Sequence, residues 1–125
     1  MHATRVAVDV TTDAAGAADV TSAVLTGRLI SIQYVKPGAG GFTDGVDFDI
    51  TGEDTTRDLW NQDNVNASAI VAPRQPTHDV LGVASLYAGA GEPVEDHIVL
   101  AQERVRIVIA AGGDTKAGRF WITVA

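Results

Sequence analysis

At 125 residues and 13.0 kDa, with a formal net charge of -7 and a pI near 4.6, the chain has the size of one domain. Its nine Lys and Arg are scattered, so neither nucleic acid nor an anionic membrane is expected as a partner. Cysteine is absent, which excludes a disulfide framework, a thiolate nucleophile and cysteine-based zinc sites.

Hydrophobic residues make up 46% of the chain and aromatics only 6%, so Val, Ile, Leu and Ala are expected to fill most of the core. The opening Met1-His2-Ala3-Thr4-Arg5 has no apolar signal-peptide core, and no apolar stretch reaches membrane-spanning length. Synthesis in the cytoplasm is therefore expected.

In chain order, residues 4–12 set Val6, Val8 and Val10 against Arg5, Ala7 and Asp9, which predicts a first strand. The Ala- and Gly-rich residues 13–19 read as a loop or mobile link, so residues 1–24 form an arm ahead of a β-rich domain over 25–125. Residues 25–36 predict a long strand with Ile30, Ile32 and Tyr34 on one face. After the break at Pro37, Gly38, Gly40 and Gly41, the alternation of Val46, Phe48 and Ile50 predicts its hairpin partner, ending at Gly52. Residues 53–76 lose the pattern and read as irregular, extended backbone carrying Arg57, Trp60 and Arg74. In residues 79–88, Val80, Val83, Ala84 and Tyr87 recur at helical spacing, with Thr77 as N-cap and Gly89 as stop. A short helix is expected there. Residues 94–100 suit a short strand. Val105, Ile107 and Ile109, then Phe120, Ile122 and Val124, predict a closing hairpin around a Gly-rich turn. The fold expected is all-β and mainly antiparallel, a small β-sandwich or β-barrel with one short helix and long irregular loops.

The chemistry of the side chains does not advertise catalysis. Asp44, Asp47 and Asp49 are the densest acidic cluster, but their spacing is not that of a calcium loop, and outward strand carboxylates are normally solvated. His2, His78 and His97 lack the paired spacing of metal ligands, and no Ser occupies a nucleophile elbow. The glycines of 38–41 and 112–113 fall where strands must turn and do not match a phosphate loop. No cofactor is expected, and an enzyme is the last choice. Trp121 is the exception of interest. With Phe120 and Ile122 facing the core, it faces outward among Arg119 and the cross-strand Arg104 and Arg106, a composition resembling interface hot spots. The preferred reading is that a loop, residues 53–76, covers that face. Trp60 invites the same two readings.

The runs Gly45-Val46-Asp47-Phe48-Asp49-Ile50-Thr51-Gly52-Glu53, Trp60, Asn64-Val65-Asn66-Ala67-Ser68, Pro73-Arg74 and Leu86-Tyr87-Ala88 carry a further signal in their order. So does Glu103-Arg104-Val105-Arg106-Ile107-Val108-Ile109-Ala110 followed by Gly112-Gly113-Asp114-Thr115-Lys116-Ala117-Gly118. Together they resemble a family of small virion proteins of tailed bacteriophages over roughly Leu25 to the end, whereas residues 1–24 resemble it less. The resemblance implies a capsid cement or decoration protein on the outside of the head, made in the host bacterium, without catalytic residues. Its expected partners are the major capsid protein and two further copies in a homotrimer. On this reading Val6, Val8 and Val10 add a strand to a neighbour, and Arg57, Trp60 and Arg74 lie over the capsid. Arg104, Arg106, Arg119 and Trp121 complete the expected interface. The competing expectations are a neck or tail protein and a carbohydrate-binding module using Trp60 and Trp121 as sugar platforms.

Overall fold

The computed structural model describes residues 2–125; Met1, the first residue of the expected arm, lies outside them. Strands form wherever the sequence is two-faced. β1 (Thr4–Thr11), β2 (Ala18–Thr21), β3 (Leu25–Val35) and β4 (Val46–Gly52) come first. β5 (Asp58–Val65), β6 (Ala69–Val71) and β7 (Arg74–Pro76) fill the stretch expected to be irregular. β8 (Glu95–His97), β9 (Val99–Glu103), β10 (Val105–Ala110) and β11 (Ala117–Val124) follow. The fold is all-β and its strand pairs are antiparallel, as expected. One sheet has the order β1-β11-β3-β6, with β9 added along the first half of β3, and faces a second of order β2-β10-β4-β5. β7 and β8 form a separate two-stranded ribbon.

Both expected hairpins are corrected. β10 pairs with β4 and β2, while β11 pairs with β1 and β3, so the turn between them crosses from one sheet to the other. β3 and β4 likewise lie in opposite sheets. Alternation fixes which face of a strand is buried and says nothing about its neighbour. The arm is corrected too. β1 pairs with β11 over its whole length and β2 pairs with β10. The link between them is pinned: Thr12 Oγ1 donates to Gly113 O at 2.6 Å, and Asp13 Oδ1 accepts from Ala15 N and Ala17 N at 2.9 and 3.0 Å. Ile30 is only half-buried, because the β3–β11 register shifts at Thr123/Val124 and brings Leu29 inward in its place.

No helix forms over 79–88. Asp79 Oδ1 accepts from Leu81 N and Val83 N at 2.8 and 3.1 Å, and Gly82 takes a φ of 78°, a left-handed turn that a helix cannot contain. Thr77 is no cap: its amide and its hydroxyl both donate to Val94 O, each at 2.8 Å. The apolar spacing is that of a folded-back ribbon.

Between the sheets, Val10, Ile32, Ile122, Ile50 and Ile107 are fully buried, each contributing roughly 1.5–3 kcal/mol by leaving water. Five of the seven aromatic residues, Tyr34, Phe42, Phe48, Trp60 and Phe120, form one cluster at the centre. The Tyr34 hydroxyl is buried there without a hydrogen-bond partner among the described residues, and burial pushes its pKa up to about 12, helped by the Asp44 carboxylate. Unfolding restores the ordinary value of 10.0, so stability is independent of this group's ionisation below pH 10 and falls as pH rises toward about 12. Tyr34→Phe is expected to match or exceed the parent by about 1 kcal/mol near neutrality, since it removes an unpaired polar group. Urea midpoints should show that gap widening by about 1 kcal/mol from pH 8 to pH 11. A constant gap would contradict the burial.

Candidate interaction surfaces

Because Phe120 and Ile122 point inward, Trp121 stands on the outer face of the β1-β11-β3-β6 sheet. The registers place Ala7, Trp121, Gln33 and Ile70 in one row across all four strands. Arg5, Thr123 and Ser31 form the row on one side, and Asp9, Arg119 and Val35 the row on the other. Trp121 is half-buried, with the Arg5 guanidinium 4.1 Å and the Arg119 guanidinium 5.6 Å from its ring centre. Arg119 is clamped by Asp9, Nε to Oδ1 at 2.6 Å and Nη2 to Oδ2 at 3.2 Å. That hydrogen bond holds the Asp9 carboxyl below its ordinary pKa, but the pair is exposed and adds little to stability. Beyond it, the same face opens into a cavity of about 340 Å³ bounded by Thr11, Val35, Pro37 and Ala117, with the Asp9–Arg119 pair as its polar wall.

Two expectations about this face are corrected. Residues 53–76 do not lie across it, because β6 adds to the sheet's edge and β5 joins the opposite sheet. Nor do Arg104 and Arg106 surround Trp121. Arg106 is clamped by Asp19 on β2, at 2.9 and 2.6 Å, and Arg104 donates to Ser22 O at 2.9 Å in the other sheet. Arg5 is the residue the sequence reading missed. Its outward position on the first strand was legible; that this strand pairs with the last was not.

The second surface is the ribbon. β6 pairs with residues 32–34 of β3 and β9 with residues 25–28, so the chain from 72 to 98 leaves that edge of the sheet between them. Arg74, Gln75 and Pro76 pair with His97, Asp96 and Glu95, and the pairing continues outward through the His78–Ala84 and Leu86–Pro93 bridges. Further hydrogen bonds, Ser85 N to Thr77 O at 3.0 Å and Val94 N to Ser85 O at 2.9 Å, hold it in shape. Its apolar side chains face solvent: Val80 is 101% exposed, Leu81 84%, Tyr87 76% and Val83 59%. At the base, Arg57, Arg74 and His78 line a groove of about 720 Å³, where Arg57 donates to Gln75 Oε1. The structure thus brings two of the expected residues, Arg57 and Arg74, to the foot of a surface the sequence reading mistook for a helix.

Four other expected interface residues lie in the interior or against it. Val8 and Val10 are core residues and Val6 packs against that core, so β1 is bound to its own sheet and not held out toward a neighbour. Trp60 is 7% exposed, edge-on to Phe48 at 5.2 Å, and its Nε1 donates to Gln62 Oε1 at 2.9 Å. It offers no ring face to the capsid or to a sugar. In the acidic cluster, Asp44 pairs with Lys36 at 2.6 Å and Asp47 Oδ1 accepts from Asn64 N at 3.0 Å. The two aromatic residues outside the core, Trp121 and Tyr87, mark the two surfaces. No family model matches this chain, and neither the curated proteins nor the solved structures hold a match to it.

Proposed function

We propose that the protein is a non-enzymatic structural component of a tailed-phage particle, a cement or decoration protein that binds the assembled head from outside. In this reading it associates with its own copies as a homotrimer and with the major capsid protein. The observation that supports it best is the ribbon: Val80, Leu81, Val83 and Tyr87 are held in solvent on a hydrogen-bonded scaffold. Val24, Ile70 and Val99 are exposed elsewhere, but the ribbon gathers four large apolar side chains on one element, the kind of patch that another protein covers. The Trp121 face supplies a second surface open to a protein neighbour. The resemblance over residues 25–125 points the same way.

The mechanism is mass action. A protein that binds the assembled shell and not its free subunits stabilises the shell by the binding free energy, multiplied over many copies. Heads carrying the protein are expected to survive heating or low salt better than heads stripped of it. Equal survival, or absence of the chain from purified particles, would refute the proposal.

A further inference from the structure

We propose that the ribbon of one copy docks on the outer Trp121 face of a second copy, with Val80 and Leu81 entering the cavity beside Arg119, so that copies join head to tail in a closed ring. The inference specifies the self-association within the proposed function but does not require a shell. Failure of cementing and failure of the ring are separate results.

Three observations select a second copy as the occupant. The first is shape. The hollow bounded by Thr11, Val35, Pro37 and Ala117 is open to solvent and holds about 340 Å³. It has room for two branched side chains at the tip of a narrow turn. The chain does not fill this cavity itself, because Val80 and Leu81 are 101% and 84% exposed. The second is charge. Residues 74–97 carry four carboxylates, Asp79, Glu92, Glu95 and Asp96, against one arginine, Arg74. The receiving face presents Arg119, whose charge Asp9 already balances, and Arg5, which packs on the Trp121 ring and, among the described residues, meets no carboxylate. The acidic ribbon therefore meets a face on which Arg5 is a cation without a carboxylate partner among the described residues, which orients the approach. The third is placement. The ribbon leaves the sheet at β3, whereas the cavity lies over the ends of β1, β11 and β3 on the outer face. Two different patches meeting across copies make a heterologous contact, which closes into a ring or runs on as a filament. The Asp79 turn fixes the tip beforehand, so docking loses little conformational freedom.

The chain has no cysteine, so introduced thiols report directly. Oxidising the full-length double variant Leu81→Cys/Ala117→Cys is expected to give covalent oligomers ending at one closed size. Each single variant is expected to stay monomeric on a non-reducing gel, and an equimolar mixture of the two to give dimer and nothing larger. Dimer from Leu81→Cys alone would mean ribbon-to-ribbon contact and overturn the proposal. So would a cross-link within one chain, an unlimited ladder, or wild-type protein sedimenting as a monomer at every concentration. Leu81→Asp supplies a second readout: it should dissociate the oligomer while leaving the far-ultraviolet circular dichroism unchanged.

Discussion

Replacing Phe48 with alanine is expected to destabilise the protein by about 3–5 kcal/mol, the range for deleting a large aromatic side chain from a packed core. Phe48 is the hub of the aromatic cluster. Its ring lies edge-on to Tyr34 at 4.9 Å, Phe120 at 5.1 Å, Trp60 at 5.2 Å and Phe42 at 6.5 Å. It is 1% exposed, so its removal leaves a void between the two sheets that no flexible segment can fill. A domain of this size has a total stability of about 5–15 kcal/mol, so the variant is expected to be largely unfolded in mild denaturant. Urea titration followed by far-ultraviolet circular dichroism measures it, with a lower midpoint at unchanged slope. A loss under about 1 kcal/mol would mean that the cluster is not the packed centre of the fold.

The second large effect is expected at Glu103. This carboxylate is 3% exposed at the end of β9, where Oε2 accepts from Asp54 N at 3.0 Å and Thr55 N at 2.7 Å. It caps the turn between β4 and β5, and it reaches that turn because residue 52 is glycine. A Cβ on Gly52 would lie 2.6 Å from the same oxygen. Glu103→Ala strips two amides of a charged acceptor and is expected to cost about 2–4 kcal/mol. Glu103→Gln keeps one acceptor oxygen and should cost about half as much. Amide exchange at Asp54 and Thr55 separates this from general loosening: both should exchange faster in Glu103→Ala well below the melting range. Unchanged protection at those two amides would remove Glu103 from the role.

What could be read in advance follows from what alternation encodes. Val6-Val8-Val10, Val46-Phe48-Ile50, Val105-Ile107-Ile109 and Phe120-Ile122-Val124 each mark a strand and its buried face, and all four are strands. Alternation carries no address for the neighbour, so pairing β10 with β11 was the natural error, and it put Arg104 and Arg106 beside Trp121 in place of Arg5. β5 was invisible for a different reason. It is the edge of its sheet, its register with β4 shifts twice, and Asn61, Gln62, Asp63 and Asn64 are all exposed, so no period of two survives. The ribbon misled because a tight turn also brings apolar residues back every three or four positions. Asp79 and Gly82 together were the available sign of a turn.

The pairing of β1 with β11 also governs how the protein is born. Thr4 lies opposite Val124, and β11 is inserted between β1 and β3, so β1 lacks its sheet partner until residues 117–124 have left the ribosome. Such distant closure is slow, on the order of milliseconds to seconds, and the half-built sheet spends that interval with Val8, Val10 and Ile32 uncovered. Premature termination a few codons short of β11 would therefore release an aggregation-prone fragment, not a slightly weakened protein.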